Sequence, residues 1–346
     1  MEYAAAQTAS NRKTESMISE MVKAKRRIVM GREPIVSIIC LAYQHEKYIT
    51  RALDGFVEQR TRFPFEVLIN DDASSDGTAE IIREYASRYP DIIKPVYQTE
   101  NQYSQGISIT RTYLLPKARG KYVAFCEGDD YWCDSAKLQK QVDFLESHSE
   151  YAMCTHRVRV EHIQTGRVST IPGIRGECDY SADEIIRGGA VFQMSSVLLR
   201  TEDYRRMPEC FFVKGFGDIQ VYMYSALIGK VRVLADVMSV YNHGTSGSWT
   251  QRMDNDEKQI IHANNKIKML NDVNAYYHYK HDAAFRYAVD REQFNILYYN
   301  GDKKSMRQPQ YRHFLKKLKR NRMLAFLRKY FPWLMTVKNA IRGKVK

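Results

Sequence analysis

Four apolar runs separated by helix-spaced segments, two of them running into acidic pairs, constrain this chain more than any other feature of its sequence. Residues 35–43 are a continuous apolar run, 46–58 carry Ile49, Leu53 and Phe56 at helical spacing, and 65–69 are a second run. Strand, helix and strand in that order predict a βαβ unit with parallel strands. Asp76-Gly77-Thr78 then turns the chain, and Thr78 is expected to cap a helix reaching about Tyr89 with Ile81, Ile82 and Tyr85 on one face. Residues 92–97 read as a third strand, placed at an edge by Pro95. A fourth, 121–126, ends at Glu127-Gly128-Asp129-Asp130. This alternation predicts an α/β fold with a doubly wound sheet. Such sheets bind ligands beyond the carboxyl ends of their strands, where Asp71-Asp72 and Asp129-Asp130 both fall.

Beyond the fourth strand, 135–147 is an amphipathic helix, and 151–160 and 195–200 are strands around a short helix at 182–187. A helix over 218–229, a strand over 231–241 and a mostly helical stretch over 254–300 follow. The expected organisation is an N-terminal helical or flexible segment (1–33), one compact domain (34–250, with halves 34–135 and 136–250), and a helical C-terminal extension (251–346) with a basic tail (311–346).

No apolar run approaches the roughly 20 residues that cross a bilayer, and no secretory leader is visible at the N-terminus, so a cytoplasmic chain is expected. The six cysteines are scattered without a CxxC pair, which argues against zinc and fits a reducing compartment. The net charge of +13 would suit nucleic acid, but twelve basic residues and no acid lie in 311–346, leaving the body nearly neutral. The body also offers no module for reading bases, so no nucleic-acid partner is expected.

Acids converging beside the apolar strand 122–126 and Tyr131-Trp132 repel one another unless a cation neutralises them. Mn²⁺ or Mg²⁺ suits that need, held by one or two carboxylates and completed by substrate phosphates, so a diphosphate ligand is implied. For Asp71-Asp72 through Thr78 alone, a plain turn is an equal reading. Arg111 is placed either to pair with a phosphate or to solvate a helix face.

Four segments together resemble the family 2 glycosyltransferases. Residues 36–44, Val-Ser-Ile-Ile-Cys-Leu-Ala-Tyr-Gln, look like that family's opening strand, VSIIIPTYN, with Leu41 and Ala42 in place of its Pro-Thr. Residues 65–78 look like its second strand and DDGSTDGT turn, and 121–132 like the strand leading into its DxD motif. Gly217-Asp218, Gly229-Lys230-Val231 and Tyr241-Asn242-His243 look like its acceptor-side acid and closing strand.

The resemblance covers about 34–250 and implies a GT-A fold with a nucleotide-sugar half and an acceptor half. It implies that Asp71 or Asp72 contacts base or ribose near Ala42 and Tyr43, and that Asp129 and Asp130 carry metal and diphosphate. Glu127 stands where the family usually has the first Asp of DxD. Asp218 becomes the general base of a single displacement with inversion, its other reading being a helix cap. His243 is a candidate metal or diphosphate ligand, otherwise a loop histidine, and His156 is structural. Trp132 and Trp249 either stack on sugar or base or simply pack. The implied reaction moves a sugar from a nucleotide diphosphate, UDP first, to a hydroxyl of a glycan or lipid-linked acceptor in bacterial surface polysaccharide synthesis. Loops 161–195 and 204–216 would choose the acceptor.

Two other functions compete. A sugar nucleotidyltransferase would need a glycine-rich phosphate loop where this chain has Ala42-Tyr43-Gln44-His45, and a non-catalytic nucleotide-sugar-binding module is hinted at only by Glu127. In the tail, Tyr311, Phe314, Leu315 and Leu318 form an apolar stripe among lysines and arginines, resumed at Phe326, Leu327, Tyr330 and Trp333. Such a helix suits an anionic membrane surface, here the inner face of the cytoplasmic membrane; alternatively its stripe docks on the protein.

Overall fold

The computed structural model describes residues 33–171, 177–188, 192–213, 216–245 and 255–330. The segment expected over 1–33 lies, but for Glu33, outside the described residues, as do Trp249 and Trp333. The chain divides into two units, residues 1–248 and 249–346.

The first unit is built on a ten-stranded mixed sheet. Strands β1 (Val36–Ala42), β2 (Phe65–Asp71), β3 (Ile93–Tyr97) and β4 (Tyr122–Phe125) are mutually parallel, in the order β3-β2-β1-β4. β1 and β2 carry almost wholly buried apolar runs, as a strand covered on both faces requires. β3 takes the edge that Pro95 marked. Helix α1 (Ile49–Val57) buries Ile49, Leu53 and Phe56 against this sheet, and α2 (Thr78–Arg88) buries Ile82 and Tyr85. Gly55 lets α1 approach β5 (Tyr131–Trp132): a Cβ there would lie 2.7 Å from the Trp132 carbonyl oxygen.

Past β5, α3 (Lys137–Ser147) leads into β6 (Tyr151–His162), β7 (Arg167–Ile171) and β8 (Cys178–Tyr180). The capped helix α4 (Ala182–Ile186), β9 (Leu198–Arg200) and α5 (Thr201–Arg205) come next, then α6 (Gly217–Ile228) and β10 (Lys230–His243). The pattern departs here from a purely doubly wound sheet, because β9 inserts antiparallel between β4 and β6 while β6 and β10 run parallel beside it. β5 returns antiparallel onto the end of β10, which brings the turn after β4 beside the last residues of β10.

Several local expectations shift. Thr78 is the first residue of α2 and not its cap; the cap position is Gly77, and Asp76 Oδ1 accepts from the Thr78 amide (3.1 Å). Residues 194–196 form a 3₁₀ turn, so the strand expected at 195–200 shrinks to β9. Asp218 is not the cap of its helix, which starts at Gly217 behind Phe216; its Oδ1 accepts from the amide of Ile219 (2.9 Å).

The second unit holds α7 (Asp256–Tyr276), α8 (Asp282–Tyr299) and α9 (Arg312–Tyr330). Tyr311 and Phe314 are buried with Phe294 of α8 and Met306, and Leu315 and Leu318 pack against the same cluster. The first stretch of the tail stripe thus folds inward on its own unit, because facing aromatics on α8 complete it. The resumed stripe at Phe326, Leu327 and Tyr330 falls on side chains outside the described ones.

Candidate active site

Two loops meet beyond the carboxyl ends of β1 and β2. Gln44 (φ 58°) and Ala73 (φ 60°) both take left-handed backbone, so the chain doubles back at each strand end. The amides of Gln44, His45 and Glu46 are then held in turn by Ser74 Oγ (3.0 Å), Thr78 Oγ1 (2.8 Å) and Asp76 Oδ2 (3.1 Å). This clamp fixes a cavity of about 420 Å³ lined by Asp71, Ser74, Asp76, Arg83, Tyr97 and Gln98, among others.

The two aspartates of this turn part company. Asp72 is buried, and its carboxylate oxygens accept from the amides of Gln102 (2.8 Å) and Tyr103 (3.1 Å). Its own amide donates to Ala42 O (2.9 Å). Asp71 keeps one buried oxygen, Oδ1, without a partner, and Oδ2 only accepts from the Ser74 amide at 3.3 Å. Of the two, Asp71 is the one with hydrogen-bonding capacity to spare. Ala42 is buried beside them, whereas Tyr43 is exposed.

The acids after β4 divide the same way. Asp130 is buried, and its Oδ1 accepts from the amide of Asn242 on β10 (2.9 Å). Burial, and then the charges of Asp129 and Glu127, push its carboxyl well above the usual range. Asp129 Oδ2 accepts from Thr245 Oγ1 (2.8 Å) and lies 4.0 Å from His45 Nε2, while the Asp129 carbonyl accepts from Asn242 Nδ2 (2.5 Å). Gly128 permits this packing, since a Cβ there would sit 2.8 Å from His45 Nδ1. His45 is pushed down from the ordinary imidazole value, first by burial, with Asp129 opposing. Glu127 is exposed beside this turn.

Asp218 enters from α6. The hydroxyl of Tyr222, one turn along that helix, is pushed well up by burial and then by the charges of Asp218 and Glu127. Both acids therefore act on the Tyr222 hydroxyl.

Two candidates sit elsewhere. The His243 ring lies 4.8 Å from that of His162, its register partner on β6. It takes the opposite face of β10 from Asn242, because side chains alternate along a strand. Arg111 is paired with Glu209 (2.6 Å) and lies over the Phe212 ring (3.5 Å), so its charge is already engaged. Trp132 is buried, its Nε1 donating to Ser195 O (2.9 Å), and His156 is buried, which are packing positions for both. The sequence assigns no role to His45, Asn242 or Thr245: Asn242 enters only as part of Tyr241-Asn242-His243, and His45 only as a residue of the loop three positions past β1.

The family model for Glycosyl transferase family 2 matches residues 37–187. An uncharacterized glycosyltransferase of Nostoc, alr2836, is 31% identical over 242 residues, covering 67% of this chain and 73% of its own length. The chain belongs to glycosyl transferase family 2.

The uncharacterized Mycobacterium tuberculosis protein Rv1520 is 38% identical over 214 residues, 62% of this chain, and the match spans only 60% of that relative. The Escherichia coli enzyme WfaP, named as a UDP-Glc:alpha-D-GlcNAc-diphosphoundecaprenol beta-1,3-glucosyltransferase, is 30% identical over 141 residues, 40% of this chain and 53% of its own. Among solved structures, Staphylococcus aureus TarS 1–349 aligns with a TM-score of 0.50 at 20% identity, over 77% of this chain and 80% of that one. A Pyrobaculum calidifontis mannosyltransferase aligns with a TM-score of 0.50 at 18% identity, over 89% and 84%. These likenesses show the GT-A fold.

Among the described residues, no group of three or more His, Cys, Asp or Glu side chains could hold an ion. The crowding of Glu127, Asp129 and Asp130 nevertheless fits a cation shared with substrate phosphates, since magnesium-type ions need only one or two protein carboxylates.

Proposed function

We propose that this family 2 glycosyltransferase is a metal-assisted inverting enzyme that moves a sugar from a nucleoside diphosphate, UDP first, to a hydroxyl of a glycan or lipid-linked acceptor in bacterial surface polysaccharide synthesis. One observation carries the reading. Asp71, which lines the cavity, keeps a buried oxygen without a partner, while Asp129 and Glu127 follow β4 at the same end of the sheet. The name of WfaP, a transferase from UDP-Glc to a diphosphoundecaprenol-linked sugar, supports the choice of donor and acceptor.

In this reading, the cavity beside Asp71, Ala42 and Tyr43 takes base and ribose, and Asp129 with Glu127 holds Mn²⁺ or Mg²⁺ against the diphosphate. The cation, when bound, supplies Lewis-acid stabilisation of the leaving diphosphate. Asp130, His45 and Thr245 position Asp129. Asp218 takes the proton of the acceptor hydroxyl as its oxygen bonds the anomeric carbon. The bond from that carbon to the diphosphate oxygen breaks, the electron pair leaves with the nucleotide, and attack from the opposite face inverts the centre. The basic segment 311–346 attaches the enzyme to the cytoplasmic face of an anionic membrane, where a lipid-linked acceptor is presented.

The test is transfer from a panel of nucleotide sugars with Mn²⁺ to a diphosphoundecaprenol-linked sugar, with the anomeric configuration of the product read by NMR. Asp218→Asn should lower kcat by about a thousandfold while leaving donor affinity within about twofold. Donor binding without transfer or hydrolysis by the unaltered protein would instead establish a non-catalytic binding module. Product of retained configuration would remove Asp218 from its role.

A further inference from the structure

The second unit carries a cleft of about 410 Å³ at the C-terminal end of α8, bounded by the N-terminus of α7 and by α9. Its floor is apolar, made by Met306, Leu315 and Leu318. Its rim is cationic: Lys303, Arg307, Lys319 and Arg322 all line it and are exposed, against one acid, Asp256. Arg322 is fixed in place, its Nη2 donating to the Tyr298 hydroxyl (3.0 Å) and its guanidinium 5.3 Å from the ring centre. Among the described residues, none of the four cations has a carboxylate within ion-pair reach.

Leu315, Leu318, Lys319 and Arg322 fall at i, i+3, i+4 and i+7, so a single stripe of α9 supplies floor and rim together. That stripe changes character along its length. Tyr311 and Phe314 are consumed by the unit's own core, and the stretch after them is half apolar and half charged. A greasy floor beneath unpaired cations matches a molecule that is itself divided, with an alkyl stem and an anionic head.

We propose that this cleft is an anionic-lipid site, in which the rim cations take a phosphate headgroup and the first methylenes of the chain lie on Met306, Leu315 and Leu318. The proposal rests on the membrane attachment put forward above and assigns it to one place on α8 and α9 instead of the whole basic tail. Charge complementarity selects the lipid: four cations on a solvent-facing rim suit a surface of phosphates, and an apolar floor has nothing to offer a soluble anion.

The experiment is flotation of the full chain with vesicles of phosphatidylcholine containing about one third phosphatidylglycerol, at low salt. The unaltered protein should float with these vesicles and remain at the bottom with phosphatidylcholine alone. Lys319→Glu with Arg322→Glu should weaken binding by about tenfold or more, since each basic residue near an anionic surface counts. Lys316→Glu with Arg320→Glu makes the same charge change on exposed residues of α9 outside the cleft and should cost less than about threefold. Circular dichroism establishes that both double variants keep their helices. Equal losses in the two would overturn the cleft while leaving membrane attachment intact. An unaltered protein that never floats would overturn attachment itself. Glycerol phosphate that binds the unaltered protein as tightly as a short-chain phosphatidic acid would mark a plain phosphate site and overturn the lipid assignment.

Discussion

The aspartate pair that closes β2 and the pair that comes after β4 are built on one plan and finished differently. In each, the second residue turns inward to backbone amides, Asp72 to Gln102 and Tyr103, Asp130 to Asn242, while the first makes no such paired contact: Asp71 keeps Oδ1 without a partner, and Asp129 Oδ2 accepts from the Thr245 hydroxyl. Asp72 has an amide for each of its oxygens. Asp130 has one amide and two acidic neighbours, and its carboxyl is pushed well above the usual range. On the proposed function, adjacent acids at a strand end are not two ligands but a brace and a contact, and a brace short of donors leaves its neighbourhood in need of a proton or a cation.

The comparison breaks most openly if brace and contact are exchanged. Asp129→Asn should reduce kcat/KM by about a thousandfold, roughly 4 kcal/mol, if that carboxylate holds the diphosphate side of the reaction. Asp130→Asn should keep activity within about tenfold, because an amide oxygen can still accept from the backbone amide of Asn242. Steady-state kinetics with saturating Mn²⁺ reads both, and the reverse ranking would make Asp130 the ligand.

A sharper question is why, among the described residues, no lysine or arginine pairs with Asp129 or Asp130. Lys137 is fully buried nearby, its Nζ donating to Gln141 Oε1 (2.7 Å) and lying 4.0 Å from the centre of the Trp132 ring. Burial pushes it from 10.5 down to about 7, so above neutral pH it offers the acids no counter-charge. The folded chain then binds fewer protons than the unfolded one between about pH 7 and 10.5, and stability rises with pH across that window, with no further loss below it. Lys137→Met should flatten this rise, which from about pH 7 to about pH 9 is about 2 kcal/mol in the parent. Urea unfolding of the two proteins side by side isolates the effect, because the buried thiols of Cys40 and Cys126, pushed up by burial, oppose it equally in both. A parent curve as flat as the variant's would mean that Lys137 stays charged.

How far the sequence reveals this site depends on the range of the interactions involved. β1 to β4 and their helices are legible because each is a local pattern of apolar residues closed by turn chemistry, and even the edge place of β3 comes from one proline. Which aspartate braces is not local. The partners of Asp72 come from 30 and 31 residues downstream, and those of Asp130 and Asp129 from 112 and 116. His243 looks ligand-like in sequence, yet strand alternation gives Asn242 the inward face and a left-handed Gly244 (φ 87°) swings Thr245 back to Asp129. The basic tail is open for a related reason: amphipathic spacing says that a face is covered, not by what, and Phe294 covers Tyr311 and Phe314. Asp218 stands near the position expected of it, but its helix begins one residue earlier, and only the shared influence of Asp218 and Glu127 on Tyr222 ties it to the other acids.

The smaller effects belong to the better finished pair. Asp72→Ala removes the acceptor of two part-buried amides and should cost about 2 kcal/mol of unfolding free energy, seen as a lower urea midpoint. Asp71→Asn removes a charge but no brace, so its midpoint should stay within about 0.5 kcal/mol of the parent while the KM for the nucleotide sugar rises about tenfold, close to 1.4 kcal/mol. The two readouts are chosen to cross: one variant changes stability and the other affinity. If Asp72→Ala instead raised KM with an unchanged midpoint, the amides of Gln102 and Tyr103 would not be what Asp72 is for, and brace and contact at the end of β2 would have to be reassigned.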